Sequence, residues 1–423
     1  MQFKTIKTIK SIQHIEQVSL LPQLFKWFVI SMLVAGLTGT AVAGFDYVLD
    51  LVTNWRETHL WIIALLPVCG LFAGWIYHVY GKSVERGNNL LIDEIHTPQV
   101  IIPLRMSILI VAGTWLTHLF GGSAGREGTA VQLGGSLADQ LTGPLRLKPD
   151  ERPILLMAGM SAGFAAVFGT PLAGAVFGFE VLALGKVRYN AIFPCFVAAL
   201  TADQVCRAWG IQHEIYQIVD IPAPSFSGLL CAIAAGAIFG IVGMLFAKTD
   251  HSIRHVFAKK ISYPPLRPFI GGVIVATAVW VLGTTRYIGL GIETISESFS
   301  GRVGPLDFLA KLLFTAMTLG SGFKGGEVTP LFFIGSTLGN TLSSILPLSP
   351  SLLAGMGFVA VFAGAANVPL ASTILALEVF GPKVGVFAGV ACVVSFIFSG
   401  HAGIYSAQRL GFQKGAWNRA EDL

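Results

Sequence analysis

The sequence predicts an all-α integral membrane protein made of two related halves with many short, broken helices. Three observations predict it. Of the 423 residues, 53% are hydrophobic and only 12% charged, with a mean hydropathy of +0.70, whereas a soluble globular chain carries roughly 25% charged residues. Apolar runs over 27–45, 60–80 and 100–120 each approach the roughly 20 residues that cross a hydrocarbon core. A glycine-rich element at 121–129 returns 200 positions later, the mark of a duplicated half.

Residues 1–24, in which polar and apolar positions alternate over 1–20, carry Lys4, Lys7 and Lys10. They read as an amphipathic surface helix and not as a signal peptide, since an apolar core and a small-residue cleavage site are lacking. With Lys26 they place the amino end in the cytoplasm by the positive-inside bias. The expected organisation is a first membrane repeat over 25–211, a polar linker at 212–226, a second repeat over 227–410 and a short tail at 411–423. The five cysteines, Cys69, Cys195, Cys206, Cys231 and Cys392, lie singly and mostly in apolar runs, so they are packing residues and not a metal cluster or disulfide framework.

The 49 glycines and 20 prolines suggest discontinuous helices around a polar site, because irregular backbone survives at membrane depth only where protein buries it or it lines a cavity. The stretch 81–94 is Gly-rich and polar, then apolar and acidic; taken alone it reads as an interfacial loop. Residues 121–129, GGSAGREGT, put Arg126 and Glu127 in a glycine-rich turn at a helix start, where converging amides favour an anion. The alternative there is a helix cap with a solvated Arg-Glu pair. Over 157–180, small residues and a Gly-Thr-Pro break suggest two short helices meeting at a turn. Ser161 lies in a G-x-S-x-G pattern, which raises an intramembrane serine hydrolase. The strand such a nucleophile needs is missing and no membrane-depth histidine stands out, so tight packing is the better reading of Ser161.

In the second half, 320–336 restates the first turn: Gly122, Gly125, Glu127 and Thr129 fall on Gly322, Gly325, Glu327 and Thr329. Pro171-Leu-Ala and Glu180-Val return as Pro369-Leu-Ala and Glu378-Val. Each half would supply a glycine-rich turn at a helix N-terminus, with the site between them. Backbone amides and helix dipoles can hold a dehydrated anion without a buried full charge. Carboxylates there make sense if Glu127 and Glu327 are protonated beside the anion or swing in to replace it, a physical route to proton coupling.

These residues carry a resemblance. Gly125-Arg-Glu-Gly128, the Gly326–Pro330 pattern and the duplicated Pro-Leu-Ala segments closely resemble the CLC family of anion channels and anion/proton antiporters, over roughly residues 25–410. The resemblance implies a CLC-like bundle of two inverted repeats, a homodimer with one anion path per subunit, and a multi-pass protein of the cell (inner) membrane with cytoplasmic termini. It assigns the gating role to Glu127 and joins Glu327 to it in proton coupling. The anion-binding positions it implies are Asn88, Gly125, Arg126, Gly128, Thr129, Gly326, Val328, Thr329 and Tyr405. For Tyr405 an interfacial aromatic anchor is the alternative.

Thr129 stands where chloride-transporting members have proline, Asn88 replaces a serine, and Glu327 and Thr329 lie inside the second motif. GREGT with GFKGGEVTP is similar to the fluoride-exporting branch, so a fluoride/proton antiporter is the expected function. A chloride channel or chloride/proton antiporter is the alternative. Val181 occupies the position of the internal proton glutamate of chloride antiporters. The implied partners are fluoride or chloride, protons, membrane lipid and a second subunit; no enzyme activity, cofactor, metal or nucleic acid is expected, nor a soluble regulatory domain after Leu423.

Overall fold

The computed structural model describes residues 16–184, 187–411 and 414, so most of the amphipathic stretch expected over 1–24 lies outside the described residues. The first half comprises α1 (Glu16–Thr58), a 3-10 turn at Leu60–Leu65, α2 (Leu66–Tyr80), α3 (Asn88–His96), α4 (Arg105–Leu119), α5 (Glu127–Asp139), α6 (Arg152–Phe168), α7 (Pro171–Glu180) and α8 (Ile192–Ala208). The second comprises α9 (Phe226–Lys260), α10 (Leu266–Leu282), α11 (Ile292–Ser300), α12 (Asp307–Ser321), α13 (Val328–Leu342), α14 (Pro350–Ala366), α15 (Pro369–Phe380) and α16 (Gly385–Phe398). Two-residue strands β1 (Ala183–Leu184) and β2 (Arg409–Leu410) pair in parallel.

The helix boundaries correct several expectations. α1 runs 43 residues without a break at position 24, even through Pro22. The expected run 100–120 yields a helix of 15 residues, because Pro103 keeps the chain out of helix until Arg105. The stretch 81–94 is not simply a loop: α3 starts inside it at the buried Asn88, after Gly87 turns the chain at a φ of 54°. Four helical segments are long and apolar enough to span a membrane among the described residues, Leu20–Thr58, Leu60–Tyr80, Tyr189–Ala208 and Phe226–Lys260.

Shorter helices fill the centre. α6 and α14 are apolar all round and buried along almost their whole length, as expected of helices with no solvent or lipid face. Each opens with a proline in its first turn and closes on a left-handed residue, Gly169 at φ 70° or Asn367 at φ 58°. Two residues later Pro171 and Pro369 start α7 and α15, since proline is compatible with a first helical turn and disfavours helix in the residue before it.

Two-fold symmetry is visible in a reciprocal exchange between these short helices. Glu180, at the end of α7, accepts hydrogen bonds from Leu370 N (2.9 Å) and Ala371 N (2.7 Å) at the start of α15. Glu378, near the end of α15, accepts from Leu172 N and Ala173 N at the start of α7, both at 2.8 Å. Each carboxylate satisfies first-turn amides that have no partner within their own helix. The repeats are therefore inverted relative to one another.

Candidate anion site between the inverted repeats

The two glycine-rich turns meet at the centre of the molecule. Gly125 N donates to Gly326 O at 2.7 Å and Gly326 N donates to Gly125 O at 2.8 Å, an isolated antiparallel bridge. Only a residue without a side chain fits so close an approach: a Cβ on Gly326 would stand 2.6 Å from Gly128 N. The bridge leads one turn into α5 and the other into α13, so the two helix N-termini, with their unpartnered first-turn amides, converge.

Glu127 lies on this axis and is 1% exposed. Its Oε2 accepts from Thr329 N at 3.0 Å and from Arg126 N at 3.2 Å, and its Oε1 accepts from the Thr329 hydroxyl. The carboxylate of the first repeat thus caps α13 of the second, occupying the place an anion would take at that helix end. Gly128 brings further groups together: a Cβ there would stand 3.3 Å from Asn88 Nδ2 and 3.5 Å from Glu327 Oε2. Asn88, Glu327 and Tyr405 line one side of a cavity of about 430 Å³. Tyr405 is held there by its chain neighbours, Ile404 N donating to Ala365 O and Ala407 N to Asn89 Oδ1, both at 2.9 Å.

The expected residues do not all converge. The N–H groups of Gly125 and Gly326 are consumed by their mutual bridge, so these glycines shape the site without donating to an anion. Arg126 contributes its N–H to Glu127, but its guanidinium faces the buried Asp46, with Nη1 3.6 Å from Oδ1. Thr129 points away from the site, its hydroxyl paired with Thr114 Oγ1 at 2.7 Å. Val328 is buried at the first position of α13, where its backbone marks the helix start. The pairing of Glu127 with Glu327 by sequence is also one residue out of register. Because Gly125 faces Gly326 across the bridge, the structural mate of Glu127 is Val328, and Glu327 is an addition of the second half.

A family model described as voltage gated chloride channel matches residues 69–400. The chain belongs to the CLC family. Among curated relatives, a "Chloride/fluoride channel protein" of Pseudomonas syringae pv. tomato is 54% identical, covering 94% of this chain and 90% of the relative. An "H(+)/Cl(-) exchange transporter ClcA" of Vibrio vulnificus is 27% identical over 81% of this chain and 79% of its own length. The solved structure described as a CLC-type fluoride/proton antiporter superimposes with a TM-score of 0.89 at 35% identity, covering 92% of this chain and 98% of that one. A slow cyanobacterial Cl-/H+ antiporter superimposes at 0.79 and 21% identity, a likeness of fold.

This protein is accordingly a CLC-family anion-transport protein. In this CLC chain Val181 is fully buried, and its carbonyl accepts from Gln408 Nε2 at 3.0 Å. Ser161 is equally buried and donates to Ala175 O at 3.4 Å where α6 crosses α7, a packing contact. Reading the sequence also passed over Asp46 and Lys324. Both are charged residues within otherwise apolar or glycine-rich stretches, a signal that marks function at membrane depth.

Proposed function

We propose that the protein exports fluoride in exchange for protons, and that Glu127 is the group that couples the two. The observation that carries this reading is the position of the Glu127 carboxylate on Thr329 N and the Thr329 hydroxyl. Fluoride competing for the same donors displaces the carboxylate, and the displaced carboxylate takes up a proton, so one site alternates between anion and protonatable side chain. Glu327 supplies a second acid at the constriction and Asn88 an amide donor. Fluoride is small and strongly hydrated, so a site that strips its water needs short, strong hydrogen bonds. The Thr329 hydroxyl, the Asn88 amide and a protonated Glu327 are donors of that kind, while Gly128 and Tyr405 border the same space.

The relative named for chloride and fluoride and the solved fluoride/proton antiporter support this substrate assignment. A chloride channel or chloride/proton antiporter is the competing reading, and the relatives named as H(+)/Cl(-) exchangers favour it. The two repeats act as units over 25–211 and 227–410, joined by the linker at 212–226, in a homodimer within the cell (inner) membrane. Lys82, Arg86, Arg254 and Arg267 line the cavity, so the positive-inside bias makes the side to which it opens cytoplasmic.

The deciding experiment is efflux from proteoliposomes loaded with fluoride or chloride, with external pH recorded. Fluoride efflux faster than chloride efflux and coupled to proton uptake is expected; chloride flux equal to or above fluoride flux overturns the substrate assignment.

A further inference from the structure

The second glycine-rich turn carries a cation that the scheme above does not use. Lys324 lies three residues before Glu327 and lines the same cavity as Asn88, Glu327 and Tyr405. Its stem lies against α4, where Gly113 leaves room: a Cβ on Gly113 would stand 2.9 Å from Lys324 Cβ and 3.0 Å from its Cγ. Its Nζ stands over the Tyr77 ring, 4.1 Å from the centroid.

By the two-fold relation of the Gly125–Gly326 bridge, Ser123 is the mate of Lys324 and Phe314 of α12 the mate of Gly113 of α4. A short hydroxyl, paired with Thr315 Oγ1 at 2.8 Å, in one repeat is thus a long cation in the other, and the position against which its stem lies carries no side chain.

Three other cations around the cavity are already engaged, and Lys82 is exposed at its rim. Arg254 pairs with Asp250 at 3.2 Å and Arg86 with Asp93 at 2.6 Å, while Arg267 donates to Ile261 O at 3.0 Å. Lys324 has no ion-pair partner among the described residues; Glu85, the acid whose charge bears on it, is exposed at the rim. An ammonium held on an aromatic face keeps hydrogens free for another acceptor, and a cationic group in a low-dielectric cleft concentrates anions from solution.

We propose that Lys324 and Tyr77 form an entry site for the transported anion, upstream of the Glu127 constriction. Fluoride binds there still partly hydrated, because an ammonium is a compact charge that attracts an anion without supplying the several donors needed to strip it. The Asn88, Glu327 and Thr329 donors complete the dehydration further in. This rests on the fluoride/proton reading above.

The test is initial fluoride efflux from proteoliposomes as a function of internal sodium fluoride, at low and high ionic strength set with potassium gluconate. Wild type should saturate, with half-saturation moving to higher fluoride as salt screens the site. Lys324→Met should raise half-saturation roughly tenfold and lose most of the salt shift, a discounted value for one charge at close range in a wet cleft. Lys324→Arg should restore both. Tyr77→Leu, which keeps the cation but removes its ring, should raise half-saturation in the same direction and decides the matter if Lys324→Met does not run as a monodisperse protein. Unchanged half-saturation in the folded variants, or a fall in maximal rate alone, overturns the entry site. Wild type that moves anions without proton coupling sinks the antiporter reading instead, and the same titration then tests Lys324 with whichever anion moves.

Discussion

Glu127 of the first repeat and Thr329 of the second are joined by two hydrogen bonds, one from the Thr329 amide at 3.0 Å and one from its hydroxyl. One carboxylate is therefore coupled to the helix N-terminus of the opposite half. Any movement of Glu127 uncovers two donors at once, and an anion of the right size is the natural replacement.

Glu127→Gln tests the proton side of this exchange. The amide can still accept from Thr329 but neither competes as an anion nor carries a proton, so fluoride-driven proton uptake should be abolished while the variant stays folded. Proton uptake persisting in the proteoliposome pH assay would place the coupling elsewhere.

Thr329→Val keeps the β-branched shape and removes only the hydroxyl. Hydrogen bonds to charged groups contribute about 1.5–3 kcal/mol, and the same donor serves the anion when Glu127 has left. Fluoride turnover should fall about tenfold or more, with a smaller effect on chloride. Equal loss for both anions, measured as the flux ratio, would remove the hydroxyl from selectivity.

Asn88→Ser and Glu327→Gln address selectivity at the cavity side of the constriction. Asn88→Ser should move the fluoride-to-chloride flux ratio toward chloride, and Glu327→Gln should slow fluoride export or uncouple it from protons. A Glu327 that only capped α13 would cost about 1 kcal/mol or less of stability on replacement and leave transport alone. Flux ratio and proton coupling beside wild type, with folding checked by size-exclusion chromatography, separate these outcomes.

Glu180→Ala and Glu378→Ala probe the reciprocal caps. Each leaves two first-turn amides without their acceptor, so each should destabilise the protein by about 1–2 kcal/mol. Thermal unfolding in detergent reads the loss, and the anion preference should stay that of wild type. A changed flux ratio would give these carboxylates a part in transport.

Ser161→Ala should leave transport nearly intact, because the Ser161 hydroxyl touches only packing neighbours at a helix crossing, Ala175 O at 3.4 Å and the Cys195 thiol. Loss of transport in a folded variant would revive a chemical role for this serine.

The residue order alone carried the membrane class, the helical break at Gly169-Thr170-Pro171, and the duplication. Composition, local breakers and repetition are properties of a chain read one stretch at a time. Glu127 and Glu327 stand out in the chain as polar groups in glycine-rich turns among apolar runs, whereas Asn88 comes only through the family resemblance, since 81–94 alone reads as a loop. What only the packed structure decided is which groups face which. Sequence pairing set Glu327 opposite Glu127, whereas the Gly125–Gly326 bridge makes Val328 its mate and leaves Glu327 beside the cavity. Thr129 and Thr329 look equivalent in the chain, yet one bonds Thr114 and the other bonds Glu127. Arg126 reads as an anion ligand until its guanidinium is found turned to Asp46 on α1. These partners are distant in the chain, and no local pattern records them. Which of two like residues meets the carboxylate depends on a shift of one residue across an inverted interface, and that shift is set by the close approach of two backbones.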